Sequence, residues 1–111
     1  MLNFGSHRIY LYPDFVDMRK SFNGLSILVE ESFRGELYSG SCFVFLNKRK
    51  TIVKILYWDS DGFAVWSKQL EQGTFKVLKG VEKLISRREL TLILEGIEPK
   101  RMNLRYTQNK L

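Results

Sequence analysis

Two aspartates come closest to chemistry in this chain. Asp59 and Asp61 flank Ser60 just ahead of Gly62, and paired carboxylates in a turn are one way to hold a divalent metal. The spacing departs from a calcium-binding loop, which needs glycine at its sixth position and a glutamate at its end. Here Gly62 stands fourth, and no glutamate follows at the required distance. Turn chemistry accounts for the pair, since aspartates bond to turn amides and permit tight bends. His7 and Cys42 are the only residues of their kinds, too few for a zinc site with about four ligands. Cys42 lies in an apolar run, where a thiol behaves as a small core residue and not as a nucleophile. No serine has the G-x-S-x-G setting, and neither phosphate-cradling glycine loop occurs. The expectation is no catalytic residue, no metal and no cofactor.

Cations are the other resource. The net charge is +6. Residues 1–75 carry nine Lys/Arg against eight Asp/Glu, and residues 76–111 carry nine against four, so the excess sits in the last third. A basic face is the electrostatic footprint expected of a nucleic-acid partner, although a moderate positive charge also keeps small domains soluble. The candidate DNA contacts are Arg19 and Lys20, the run Lys48, Arg49 and Lys50, then Lys54, the pair Arg87 and Arg88, and Lys100, Arg101 and Arg105. Arg87 and Arg88 fall in the first turn of an expected helix, where the dipole disfavours cations, which suggests a use such as phosphate contact.

These residues need elements to position them. Thr51–Trp58 and Phe63–Lys68 read as strands joined by the Asp59–Gly62 turn, because aspartate beside glycine tolerates the positive φ that such turns require. Alternation sorts Val53, Ile55 and Tyr57 from Ile52, Lys54, Leu56 and Trp58. Lysine and tryptophan on a sheet face can stack on and neutralise a nucleic-acid strand. Burial of Trp58 and Trp66 beneath a helix, with Lys54 and Lys68 at its edge, is favoured, since large aromatics are mostly buried. Arg8–Tyr12 reads as a strand ended by Pro13-Asp14. A helix capped by Asp17 is expected over Met18 to about Glu31, or from near Gly24 after a separate turn. Ser41–Leu46 is a further strand, and Phe75–Leu78 with Val81–Ile85 a last hairpin. The run Gly40–Phe45 has the look of an RNA-recognition strand, but the second helix that such a domain places between strands is missing. Ser86 and Glu89 form a capping box for a helix that stops at Gly96.

The order strand, helix, several adjacent strands, helix predicts an α+β single domain over residues 1–99. Its antiparallel sheet has a long central hairpin and two helices packed on one face, and residues 100–111 form a basic mobile tail. A lone cysteine fits a reducing compartment. The opening MLNFGSHRIYLYPD lacks a signal peptide's apolar stretch, and no run reaches the length of a membrane span. A cytoplasmic protein away from membranes is expected.

Three segments carry a resemblance: DMRKSFNGL from Asp17, FVFLNKRKTIVKILYWDSDGFAVWSKQLEQGTF from Phe43, and LILEGI from Leu92. Together, in this order and over nearly the whole chain, they resemble the TnpB-type accessory protein of the insertion-sequence-66 family of bacterial mobile elements. The resemblance implies a role in transposition beside a separate, larger transposase that carries the catalytic acidic residues. It directs attention to the matched polar positions Asp17, Arg19, Lys20, Asn47, Lys48, Arg49, Lys54, Asp59, Asp61, Lys68 and Glu71. At one corner the chain departs from the family, which often follows Phe75 with an aromatic and a proline; here Lys76, Val77 and Leu78 stand instead. The expected function is a non-catalytic accessory factor for transposition that contacts DNA at the element's ends, the transposase, or both. The alternatives are a protein-only adaptor that docks the transposase or another copy of itself through an aromatic sheet face, and a metal-dependent nuclease using Asp59 and Asp61.

Overall fold

A computed structural model describes residues 7–77 and 83–96. Five strands and two helices follow in the order β1 (Ile9–Phe15), α1 (Phe22–Ser32), β2 (Cys42–Leu46), β3 (Ile52–Asp59), β4 (Gly62–Gln69), β5 (Leu84–Ile85) and α2 (Arg87–Glu95). The strands form one sheet in the spatial order β4-β3-β2-β1-β5. The α+β class holds, with two changes to the sheet. The long β3–β4 hairpin lies at one edge, with β2 at the centre. β1 runs parallel to β2, pairing Ile9 with Cys42 and Leu11 with Val44, so the sheet is mixed and not wholly antiparallel. Parallel neighbours need a long crossover, and α1 with its flanking loops supplies it.

The helices do not share a face. All five residues of β2 are buried, and alternate side chains of a strand point to opposite sides. Cys42, Val44 and Leu46 pack on one side with Ile9, Val53, Ile55 and Phe75 under Leu90 and Ile93 of α2. Phe43 and Phe45 pack on the other with Leu56 under Leu25 and Val29 of α1, closed by Phe33 and Leu37. A central strand apolar on both faces requires cover on both. Lys54 interrupts the apolar row of β3 on the α1 side, and its ammonium finds partners in the chain. Trp58 and Trp66 are likewise on opposite sides, because Trp66 pairs with Ile55 while Trp58 pairs with Phe63. The Cys42 thiol is buried, and burial alone raises its pKa to about 11, which makes it inert at neutral pH.

Local signals resolve in detail. Ser86 accepts from the Glu89 N–H while Glu89 accepts from the Ser86 N–H, and Gly96 closes α2 in the left-handed region at φ 69. Helix α1 starts later than an Asp17 cap implies, with Ser21 as its N-cap. Asp17 instead organises the turn before it, accepting from the Arg19 N–H at 2.9 Å. In the β3–β4 turn the positive φ falls on Ser60, at 57, and not on the aspartates or Gly62. The Asp61 N–H donates to the Asp59 carbonyl at 2.6 Å across Ser60, the i→i+2 bond of a tight γ-type reversal.

Two expected boundaries shift. β1 does not stop at Pro13-Asp14 but passes through them. Leu11 pairs with Val44 and Phe15 with Leu46, so the stretch between carries extra residues as a bulge. Proline lacks the N–H that a ladder needs and is confined to such places. The expected last hairpin is replaced by a different pairing, in which β5 lies antiparallel to β1, with Ile9 against Ile85. Phe75 forms no strand; it is fully buried and its N–H donates to the Lys50 carbonyl at 2.7 Å. Residues 78–82 and the expected tail over 100–111 lie outside the described residues.

Phe43 carries much of the α1-side core, stacking on Tyr10 with ring centroids 5.6 Å apart and meeting Phe33 at 5.6 Å. Phe43→Ala is expected to lower the unfolding free energy by about 3–5 kcal/mol, read as a shift of the urea midpoint at unchanged slope.

Candidate nucleic-acid interface

Where β1 and β2 end and β3 begins, the chain forms an open cleft of about 420 Å³. One wall is the β1–α1 loop, from Phe15 through Val16 and Asp17 to Met18. The other is the β2–β3 loop, with Asn47, Lys48 and Arg49. The structure thus brings together two segments that stand well apart in sequence.

The cationic wall is shaped by Asn47. Its side-chain oxygen accepts from the Thr51 and Ile52 N–H groups, both at 2.9 Å, and its amide donates to the Thr51 hydroxyl at 3.0 Å. The Lys50 N–H closes the turn on the Asn47 carbonyl at 3.0 Å. Lys50 itself takes a left-handed backbone, φ 58, and its carbonyl receives the Phe75 N–H. Lys48 and Arg49 are left exposed at the tip, and among the described residues no carboxylate forms a salt bridge with either.

The opposite wall is held by Lys54. Its ammonium donates to the Met18 carbonyl at 2.7 Å and the Lys20 carbonyl at 3.0 Å. The half-buried lysine, expected to reach DNA, therefore fixes the Asp17–Lys20 turn against β3. The Val16 N–H donates to the Leu46 carbonyl at 2.9 Å and ties the same loop to the end of β2. Gly24 leaves room for Lys20, since a Cβ there would come within 3.2 Å of the lysine stem.

Arg19 grips Asp17. Its Nε lies 3.1 Å from both carboxylate oxygens and one terminal nitrogen 2.6 Å from the second. Those side-chain bonds, helped by the Arg19 backbone N–H, hold the Asp17 carboxyl well below the usual carboxylate range. The pair is solvent-exposed, with the arginine side chain 91% accessible, so it adds little to stability. It does neutralise the one carboxylate that lines the cleft.

Sequence reasoning missed Phe15. This ring is 51% exposed at the mouth of the cleft, where the bulge at Pro13-Asp14 breaks the alternation that keeps Ile9 and Leu11 inside. Bulges commonly re-aim a side chain in this way. The remaining candidates lie elsewhere. Arg87 and Arg88 follow β5, whose Ile85 pairs with Ile9 at the far end of β1. At about 3.3 Å per residue, that end is roughly 20 Å from Phe15. Lys100, Arg101 and Arg105 lie outside the described residues. Asp59 and Asp61 are exposed at the opposite end of β3 from the cleft. Among the described residues no three His, Cys, Asp or Glu side chains converge, and no helix is long and apolar enough to cross a membrane. A second aromatic group surrounds that far turn, where Tyr38, 63% exposed, meets Trp58 and Phe63 with centroids 5.1 and 5.4 Å away.

Lys54→Met keeps the stem and removes the donor. It is expected to cost about 1–3 kcal/mol of unfolding free energy and to speed amide exchange in the Met18–Lys20 turn before other loops. For Asp17, a depressed folded-state pKa means that its contribution is complete above the unfolded value near 3.9 and fades as pH falls below it. The side-chain carboxyl resonance of Asp17 should accordingly stay at its ionised position at a pH of about 3, and Arg19→Ala should return its midpoint toward about 3.9.

The comparisons with known proteins place the chain in a family. The family model described as IS66 Orf2-like protein matches residues 7–104. The uncharacterized protein y4jC of Sinorhizobium fredii (strain NBRC 101917 / NGR234) is 33% identical over 93 residues, covering 82% of this chain and 80% of its own. A second from the same strain, the uncharacterized protein y4hO, is 28% identical over 93 residues, covering 82% and 81%. No solved structure matches. With a family model spanning most of its length, the chain belongs to the IS66 Orf2-like family.

Proposed function

We propose that the protein is a non-catalytic accessory factor of transposition that contacts the DNA of the element's ends through the cleft between the β1–α1 and β2–β3 loops. Membership in an insertion-sequence family supplies the setting, and the family is not a known catalytic one. The observation that carries the proposal is the meeting of the Asp17–Lys20 turn with the Asn47–Lys50 loop at one cleft. Lys48 and Arg49 supply phosphate contacts, Arg19 and Lys20 flank them on the neighbouring turn, and Asn47 and Lys54 act as positioning residues. Phosphate contacts fix orientation and carry little sequence information, so affinity falls with salt.

A protein partner is the second reading, favoured by the exposed Tyr38 ring on Trp58 and Phe63. The transposase, or another copy of this chain, is the occupant that fits an accessory role. The nuclease alternative has less support, because Asp59 and Asp61 gather no third acidic or histidine ligand among the described residues.

Fluorescence anisotropy with element-end DNA tests the first reading. Binding is expected at low salt, and the double substitution Lys48→Ala with Arg49→Ala should weaken it and reduce the log–log salt slope by about 2, one for each lost phosphate contact. No binding at low salt would remove the DNA proposal and leave the protein partner.

A further inference from the structure

Resting on that DNA reading, we propose that the cleft is built for unpaired DNA and not for duplex, with Phe15 stacking on an exposed base while Lys48 and Arg49 hold the adjoining phosphates.

The walls of the cleft differ in character. Phe15 and the arginine-paired Asp17 line one side, and Lys48 and Arg49 rise on the other. Asp17 is already paired with Arg19, whereas Lys48 and Arg49 have no salt-bridge partner among the described residues, so phosphate is drawn to the Lys48 side and a bound strand lies with its backbone on the β2–β3 loop and a base toward Phe15. In a duplex the faces of the bases are covered by their neighbours, and the phenyl ring has nothing to stack on. An unpaired base offers a free face, and aromatic stacking with a cationic groove is the usual design for single strands. The volume of about 420 Å³ lies within the range of roughly 300–1,000 Å³ that takes small organic groups, and is too small to seat a double helix.

The Pro13-Asp14 bulge turns Phe15 outward at the cleft. The residue is half exposed, yet it sits in a strand between that bulge and the buried Val16, whose N–H is bonded to Leu46. The backbone on either side is fixed, so the ring is presented from a rigid support at little entropic cost on binding.

The test compares one short labelled strand from the element's end, its duplex, and the RNA of the same sequence, using the full chain. The expected result is tighter binding of the DNA strand than of the duplex. Phe15→Ala should weaken strand binding roughly 5- to 150-fold, the span of one lost stacking contact, and leave duplex affinity unchanged. Phe15→Trp should restore strand binding, which separates stacking from a fold defect, and Tyr38→Ala should change neither. Equal binding of strand and duplex with no effect of Phe15→Ala overturns the inference and leaves the DNA reading standing. A preference for the RNA, or an equal loss with Tyr38→Ala, also overturns it. Absence of binding to any of the three removes the DNA reading itself.

Discussion

The whole domain answers to one constraint: β2 is apolar on both sides. Cys42–Leu46 leaves no side chain exposed, so the strand has to be central and each of its faces has to be roofed. Two helices separated by the entire sheet are the solution, and each brings its own core. Because α1 comes before β2 in the chain, covering the Phe43 and Phe45 side obliges the chain to leave β1, cross over and re-enter alongside it, which makes the β1–β2 pair parallel. The ends of β1 and β2 then lie side by side, and the loops that leave them meet. The cleft is therefore a by-product of how a five-residue strand is buried.

Within the cleft, polar groups shape the backbone and charged groups are left to face solvent. Lys54 and Asn47 each satisfy two acceptors or donors of a loop that has no regular structure to do so. Buried or half-buried backbone groups without partners are costly, and a loop carrying its own partner can sit at a strand end without a helix or sheet to complete it. The Asp17–Arg19 fork belongs to the same economy, since it removes a negative field from a site whose other charges are positive.

What could be read from the sequence was what is decided locally. The Ser86–Glu89 box, the Gly96 stop and the Asp59–Gly62 reversal each depend on a few neighbouring residues, and each sits where spacing placed it, although Ser60 and not glycine adopts the positive φ. The membership of the family was legible too, because it rests on the motifs themselves. Lost were the facts decided at a distance. Lys54 bonds to carbonyls 36 and 34 residues away, and nothing in its strand announces that. Pro13-Asp14 looked like an end and is a bulge, because the ladder resumes at Phe15, a pairing that only the neighbour strand reveals. Both concern the same cleft, where Lys54 is bonded to a neighbouring loop and Phe15 lies exposed, and neither placement follows from the local sequence.

The Asn47 loop divides its labour between positions in a way that bears on how such a protein diversifies. Asn47, Lys50 and Thr51 hold its shape through backbone and amide bonds, while the exposed side chains of Lys48 and Arg49 make no hydrogen bond or salt bridge among the described residues. Substitutions at such surface positions usually change stability by no more than about 0.5 kcal/mol. The loop is thus an interchangeable cassette, in which two adjacent side chains are free to drift and be selected for new partners while the frame that displays them stays the same.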